Sequence, residues 1–194
     1  MSIGMMYITI LPAIMAAILN MVWCKTHFLK KLQIPIDNGK NFVDGKRVFG
    51  KNKTWKGLIG YVILNTIMGV IWGWICNAAN LNQYNFFYIN NSNTFLYSLL
   101  IGFLFGLGYS LFELPNSFLK RRLNIVEGQS ASGAKKVFFT ILDQADSAFG
   151  CCLVICLFYQ MSILFYFQYV LLATITHFVF NILLYFLKLR KNMF

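Results

Sequence analysis

The sequence predicts an all-α membrane protein, a bundle of five transmembrane helices with two functional loops on one side. Three observations carry that expectation. The 194 residues are 58% hydrophobic and only 12% charged, about half the charged share of a soluble domain. Apolar runs long enough to cross a hydrocarbon core of about 30 Å recur five times, over roughly 5–23, 57–77, 94–114, 136–160 and 163–187. All 17 Lys and Arg residues fall in three segments, 24–56, 115–136 and 188–191.

Each element follows in order. The first span has no basic region ahead of it and no small-residue cleavage site, so it reads as a retained helix and not a signal peptide. A long basic loop, 24–56, leads to the second span. An asparagine-rich polar loop, 78–93, separates spans two and three. Pro115 is expected to end span three, which opens a second basic loop, 115–135. Spans four and five are joined by a tight turn near Met161–Ser162. The positive-inside rule puts the basic loops and the C-terminus in the cytoplasm and the N-terminus outside. No internal repeat or domain boundary is visible, so 1–194 reads as one domain.

Gly69-x-x-x-Gly73 and Gly102-x-x-x-Gly106 allow close backbone approach between helices, within one bundle or between the subunits of a homodimer. Five cysteines with no C-x-x-C spacing support neither a zinc site nor a disulfide framework, and read as packing residues. His27 and His177 receive no role.

The six acids restrict where chemistry can occur: Asp37, Asp44, Glu113, Glu127, Asp143 and Asp146 all belong to the basic side. Asp143 and Asp146 lie about two turns into span four, on one helix face, with Ser147 and Gly150 continuing that face. A central Asp in a span costs about 2.5–3.5 kcal/mol, so a pair needs compensation. Two readings fit: a divalent cation bridging to a phosphate, for which oxygen ligands favour Mg²⁺, or a structural knot with Lys or Arg.

The basic loop contains Gly45-x4-Gly50-Lys51, most of a P-loop, but Asn52 stands where Ser or Thr should be and no strand precedes it. Its glycines, cations and following helix N-terminus still suit phosphate. Nonspecific contact with anionic lipid is the plainer alternative.

Three segments, "PIDNGKNFVDGKRVFGKNKTWKG", "ELPNSFLKRRLNI" and "ILDQADSAFG", resemble the signature segments of the CDP-archaeol synthase family, which is grouped with the phosphatidate cytidylyltransferases. The resemblance implies a membrane enzyme that joins CTP to a membrane lipid phosphate, releasing pyrophosphate with Mg²⁺ assistance. It implies that Asp143 and Asp146 hold the metal and act in catalysis with Lys120 and Arg121. Asn38, Gly39, Lys40, Arg47, Gly50, Lys53, Thr54, Trp55 and Lys56 would frame the nucleotide, and Ser117, Lys120, Arg121 and Arg122 would bind phosphates. Asn38 stands where a glycine is expected and Lys51 where an acid is usual. The partners so implied are CTP, a lipid phosphate and the bilayer, with no nucleic acid. A CTP-dependent lipid-alcohol kinase is the enzymatic alternative, and a transport or anionic-lipid-binding protein the non-enzymatic one. The D-G-x2-A-R…G-x3-D-x3-D pattern of CDP-alcohol phosphotransferases is absent.

Overall fold

The computed structural model describes residues 2–129 and 131–188. Arg190 and Lys191 of the basic C-terminal tail lie outside the described residues. Five long helices follow one another: α1 Ile3–Lys25, α2 Trp55–Ala78, α3 Phe95–Arg122, α4 Ala134–Phe158 and α5 Ile163–Phe186. All five are long and apolar enough to cross a membrane. They alternate in direction, and each packs chiefly against its neighbours in sequence, with a much thinner seam between α5 and α1.

The seams are fastened by buried and half-buried polar side chains that reach a neighbour's backbone oxygen. Tyr61 Oη donates to Ala13 O (3.1 Å) and Trp72 Nε1 to Ile8 O (2.7 Å) between α2 and α1. Asn65 Nδ2 donates to Gly102 O (2.8 Å) between α2 and α3, and Tyr166 Oη to Phe149 O (3.0 Å) between α5 and α4. In an apolar surround each such bond removes a donor that lipid cannot satisfy.

The glycine pairs do pack helix on helix. A Cβ on Gly102 would lie 2.8 Å from Thr66 Cα, and one on Gly106 would lie 2.9 Å from Val62 Cα. Both obstacles are backbone and cannot yield. Gly102→Ile is therefore expected to destabilise the bundle by about 2–3 kcal/mol, seen as a lower melting temperature in detergent. An unchanged melting temperature would mean that α2 and α3 are not held this closely.

Two sequence expectations are corrected. Pro115 does not end span three: α3 runs on to Arg122, which shortens the second basic loop to 123–133 and places Ser117, Lys120, Arg121 and Arg122 on a helix. A proline in a helix forfeits one hydrogen bond, but the extra turns bury Asn116 and anchor Arg122 on the first basic loop. The loop between α2 and α3 is also less polar than its asparagines suggest. Phe86, Phe87 and Tyr88 turn inward and are buried, plugging the uncharged end of the bundle. Phe86 N donates to Thr9 Oγ1 (3.0 Å), and Asn93 Nδ2 to Gly73 O (2.7 Å).

At the opposite end α1, α3 and α5 finish while α2 and α4 begin. Every described Lys and Arg and all six acids gather on this side.

Candidate active site

The loop between α1 and α2 is built around one carboxylate. Asp37, buried, accepts at Oδ1 from Gly39 N (3.0 Å) and Arg47 Nη2 (2.6 Å). Its Oδ2 accepts from Arg47 Nε (3.2 Å), Phe49 N (3.0 Å) and Gly50 N (2.8 Å). Burial alone would push this carboxyl up, but Arg47 and the three backbone N–H groups outweigh it and hold it well below the usual carboxylate range. Asn38 has φ +47°, a left-handed turn position that Asn tolerates, which accounts for its standing where a glycine is expected.

The end of α3 holds this loop down. Arg122 lies 2.9 Å from Asp44, donates to Lys46 O (3.0 Å) and Arg47 O (2.5 Å), and stacks over the Phe42 and Phe118 rings. Lys46 Nζ returns a bond to Arg122 O (2.7 Å).

Beneath the loop is a cleft of about 720 Å³, walled by Gln33, Pro35, Ile36 and 51–54 of the loop and by α1, α2 and α3. Asn20, Tyr61, Tyr109, Ser110 and Glu113 line its membrane side. Lys53 enters it and pairs with Glu113. Burial would lower the Lys53 ammonium pKa, but Glu113, with Asp146 and Asp143 behind it, raises it, so Lys53 stays cationic.

Asp143 and Asp146 face α3, where Asn116 Nδ2 bridges them at 2.7 Å to Asp143 Oδ1 and 2.7 Å to Asp146 Oδ2. Lys120 Nζ contacts both Asp143 oxygens at 2.5 Å and sits 5.6 Å from the centre of the Phe139 ring. Glu113, Asn116 and Lys120 thus form one stripe of α3 spaced by three and four residues. Close approach of α3 and α4 permits this, because Gly108 and Gly150 meet there: a Cβ on Gly108 would lie 2.9 Å from Gly150 O.

A third grouping adjoins the loop. Glu127 lies 3.6 Å from Arg121, is coupled to Arg47 and accepts from the Lys51 backbone, and its Cγ sits where a Cβ on Gly50 would point. The Arg121 side chain is 9% exposed, and its Nε is buried without a hydrogen-bond partner.

The sequence-predicted residues therefore divide. Asp143, Asp146, Lys120 and Lys53 converge on one site, and Arg47, Gly50 and Arg121 meet around Glu127. Other side chains are engaged in the scaffold. Thr54 caps α2, Ser117 Oγ donates to Glu113 O (3.1 Å), and Arg122 latches the loop. Lys56, 1% exposed, donates to Thr26 O (2.6 Å) beside Trp23. Asn38, Gly39 and Lys40 shape the turn after Asp37, with Lys40 exposed, and Trp55 begins α2 on the hydrogen bond from its N to Ile34 O (3.0 Å). Asn116 and Asp37 received no role from sequence. The stripe Glu113, Asn116, Lys120 was a readable signal, whereas nothing local marks Asp37 as a hub.

The chemistry of the carboxylate pair fits a hard cation. Among the described residues no three His, Cys, Asp or Glu side chains form a metal cluster. Asn116 Oδ1, however, is buried without a hydrogen-bond partner. Exchanging its oxygen and nitrogen by a half-turn of the amide brings three oxygens together, one each from Asn116, Asp143 and Asp146. Such a set, completed by substrate oxygens and water, is the ligation Mg²⁺ accepts.

Residues 3–194 match the family model described as CarS-like, CDP-archaeol synthase. The chain belongs to this family. CDP-archaeol synthases similar to this chain include those of Methanocaldococcus jannaschii (33% identical over 116 residues, 60% of this chain) and Methanoculleus marisnigri (36% over 124 residues, 64% of this chain). The matches span 58% and 64% of those relatives' own lengths. A solved structure of an intramembrane enzyme for archaeal membrane lipid biosynthesis superposes with a TM-score of 0.60 at 24% identity, covering 91% of this chain and 92% of that one. The chain thus shares the fold of that enzyme over nearly its whole length.

Proposed function

We propose that the protein is a cytidylyltransferase that joins CTP to a membrane lipid phosphate, giving a CDP-lipid and pyrophosphate. The observation that carries this reading is the carboxylate pair Asp143–Asp146, contacted by Lys120 and bridged by Asn116, one turn of α3 from Glu113, which with its partner Lys53 lines the 720 Å³ cleft. The relatives' name points to archaeol-type ether lipids, so an isoprenoid ether phosphate is tested beside a diacyl phosphate.

In this reading the nucleotide occupies the cleft beneath the basic loop. A lipid phosphate oxygen, already anionic near neutral pH, attacks the α-phosphorus of CTP; the new P–O bond forms as the bond to the β-phosphate breaks. No general base is needed, so the protein's task is to align two anions and offset their charge. Lys53, kept cationic by Glu113, supplies positive charge at the cleft floor, and Lys120 supplies it beside Asp143. Asp143 and Asp146, with Asn116, would hold Mg²⁺, which when bound offsets charge on the phosphates and on the departing pyrophosphate. Arg121, paired with Glu127 and with a donor unspent, would take a phosphate oxygen.

The one-sided distribution of Lys and Arg supports a cytoplasmic site in the inner membrane, with the N-terminus outside. A cysteine introduced at Asn91 is then labelled by an impermeant reagent from outside, and one at Val43 only after permeabilisation.

Purified protein with CTP, Mg²⁺ and a panel of lipid phosphates should release pyrophosphate and CDP-lipid in equal amounts, and EDTA should abolish both. Release of CDP with a phosphorylated lipid alcohol would instead mark a kinase, and absence of CTP binding would overturn the nucleotide reading. Gly50, at φ +102° and against Glu127, gives a finer check. Gly50→Ala adds about 1–2 kcal/mol of backbone strain, so CTP binding is expected to weaken about tenfold. Adding Glu127→Ala should recover part of that loss, since it removes the contact but not the strain.

A further inference from the structure

Next to the cleft, deeper in the bundle, lies a second, apolar cavity of about 130 Å³ between α1, α4 and α5, the two sharing Ala17, Met21 and Tyr109 in their walls. This inner groove runs along α1 from Met21 to Ile10, about 16 Å at 1.5 Å per residue, or half the hydrocarbon core. Small side chains, Ala13 and Ala17 on α1 and Ala173 on α5, leave the space. It lies along the thin seam between α1 and α5. Towards the uncharged end it is closed by the hydrogen bonds of Tyr7 with Thr176 (3.0 Å) and of Tyr169 Oη with Met6 O (2.6 Å).

A groove that is apolar, blind at mid-membrane and separated from the nucleotide cleft only by shared wall side chains has the shape and chemistry of a hydrocarbon chain hung from a phosphate. We propose that the α1–α5 groove receives one chain of the lipid phosphate, threaded past Tyr109 so that the phosphate lies in the cleft near Lys53. This rests on the cytidylyltransferase reading above. A rival groove of about 340 Å³ on the other face of α3 and α4 reaches Asn116 and Asp146 but shares no wall residue with the cleft.

The test compares a long-chain lipid phosphate with a short-chain, water-soluble one carrying the same head group. Ala173→Phe and Ile14→Trp fill the groove from opposite walls, and Leu119→Trp fills the rival. The groove variants are expected to raise KM for the long-chain lipid about tenfold, the equivalent of excluding two methylenes. KM for the short-chain lipid and the affinity for CTP stay unchanged. Unaltered long-chain kinetics in both folded groove variants, or a rise confined to Leu119→Trp, would overturn the proposal. A wild-type protein that turns over neither lipid refutes the activity, not the groove. Photolabelling of the wild type by a lipid phosphate with a diazirine in its tail decides the groove without turnover. Labels within 10–21 and 173–184 support it, and labels confined to 112–119, Leu142, Phe149 and Tyr166 refute it.

Discussion

Asp146→Asn is expected to lower CDP-lipid formation at least about a thousandfold while the bundle stays folded. The substitution keeps the side chain's shape and one oxygen but removes the negative charge that would hold a cation at the reacting phosphates. Loss of about 4 kcal/mol of charge stabilisation in the transition state corresponds to that factor. The folded state has little to lose. Asp146 is buried beside Glu113 and Asp143, so neutralising it relieves repulsion, and the melting temperature should hold or rise. Asp143→Asn is expected to match the loss of activity but differ in stability. It strips Lys120, whose side chain is 17% exposed, of its carboxylate partner. Measured together, rates and melting temperatures separate a catalytic pair from a structural knot. Near-normal turnover in both variants would end the metal-site reading.

The second large effect lies in the loop. Asp37→Asn leaves Arg47 without its counter-charge and puts an amide N–H₂ among the donors now shared by Arg47, Gly39, Phe49 and Gly50. Breaking this buried pair should cost about 3 kcal/mol of local stability. The loop is fastened to the bundle but is not part of its core. The cost should therefore appear as faster hydrogen exchange and proteolysis over 37–50 and a loss of CTP affinity of 100-fold or more. The global melting temperature should move much less. The pH dependence has a definite sign. Because the folded carboxyl titrates below its unfolded value of about 3.9, its contribution is complete above that pH, declines as pH falls below it, and is lost once the folded carboxyl itself is protonated. The wild-type loop should stay protected through mildly acidic pH, and the loop of the Asp37→Asn variant should be equally loose at every pH. Unchanged exchange in the variant would mean that Asp37 does not organise this loop.

Residues differ in how legible their roles were for a physical reason. Asp143 and Asp146 announced themselves, since carboxylates in an apolar helix are too costly to be incidental, and spacing alone puts them on one face. The glycine pairs of α2 and α3 were legible likewise, because helix geometry fixes which residues share a stripe. Asp37 was not, because its partners lie up to thirteen residues away and are assembled by turns at Asn38, Gly39 and Gly50. The resemblance gives Arg47 to the nucleotide and Arg122 to phosphates; that their guanidinium groups brace the loop was not legible, since charge alone does not say which oxygen an arginine meets. Pro115 misled because a local rule about helix ends was outweighed by the packing of Asn116 and Arg122 beyond it.

By itself the sequence determined five spans, the gathering of charge at one end and the carboxylate pair within it. Those follow from the cost of polar groups in hydrocarbon, which acts residue by residue along the chain. The tertiary structure alone decided that Asn116 bridges the two aspartates and that Lys53 meets Glu113. It also decided that Phe86, Phe87 and Tyr88 seal the far end and that α1 and α5 part to leave a groove. Each of these depends on which helix faces stand opposite one another, a matter of packing between residues distant in the chain.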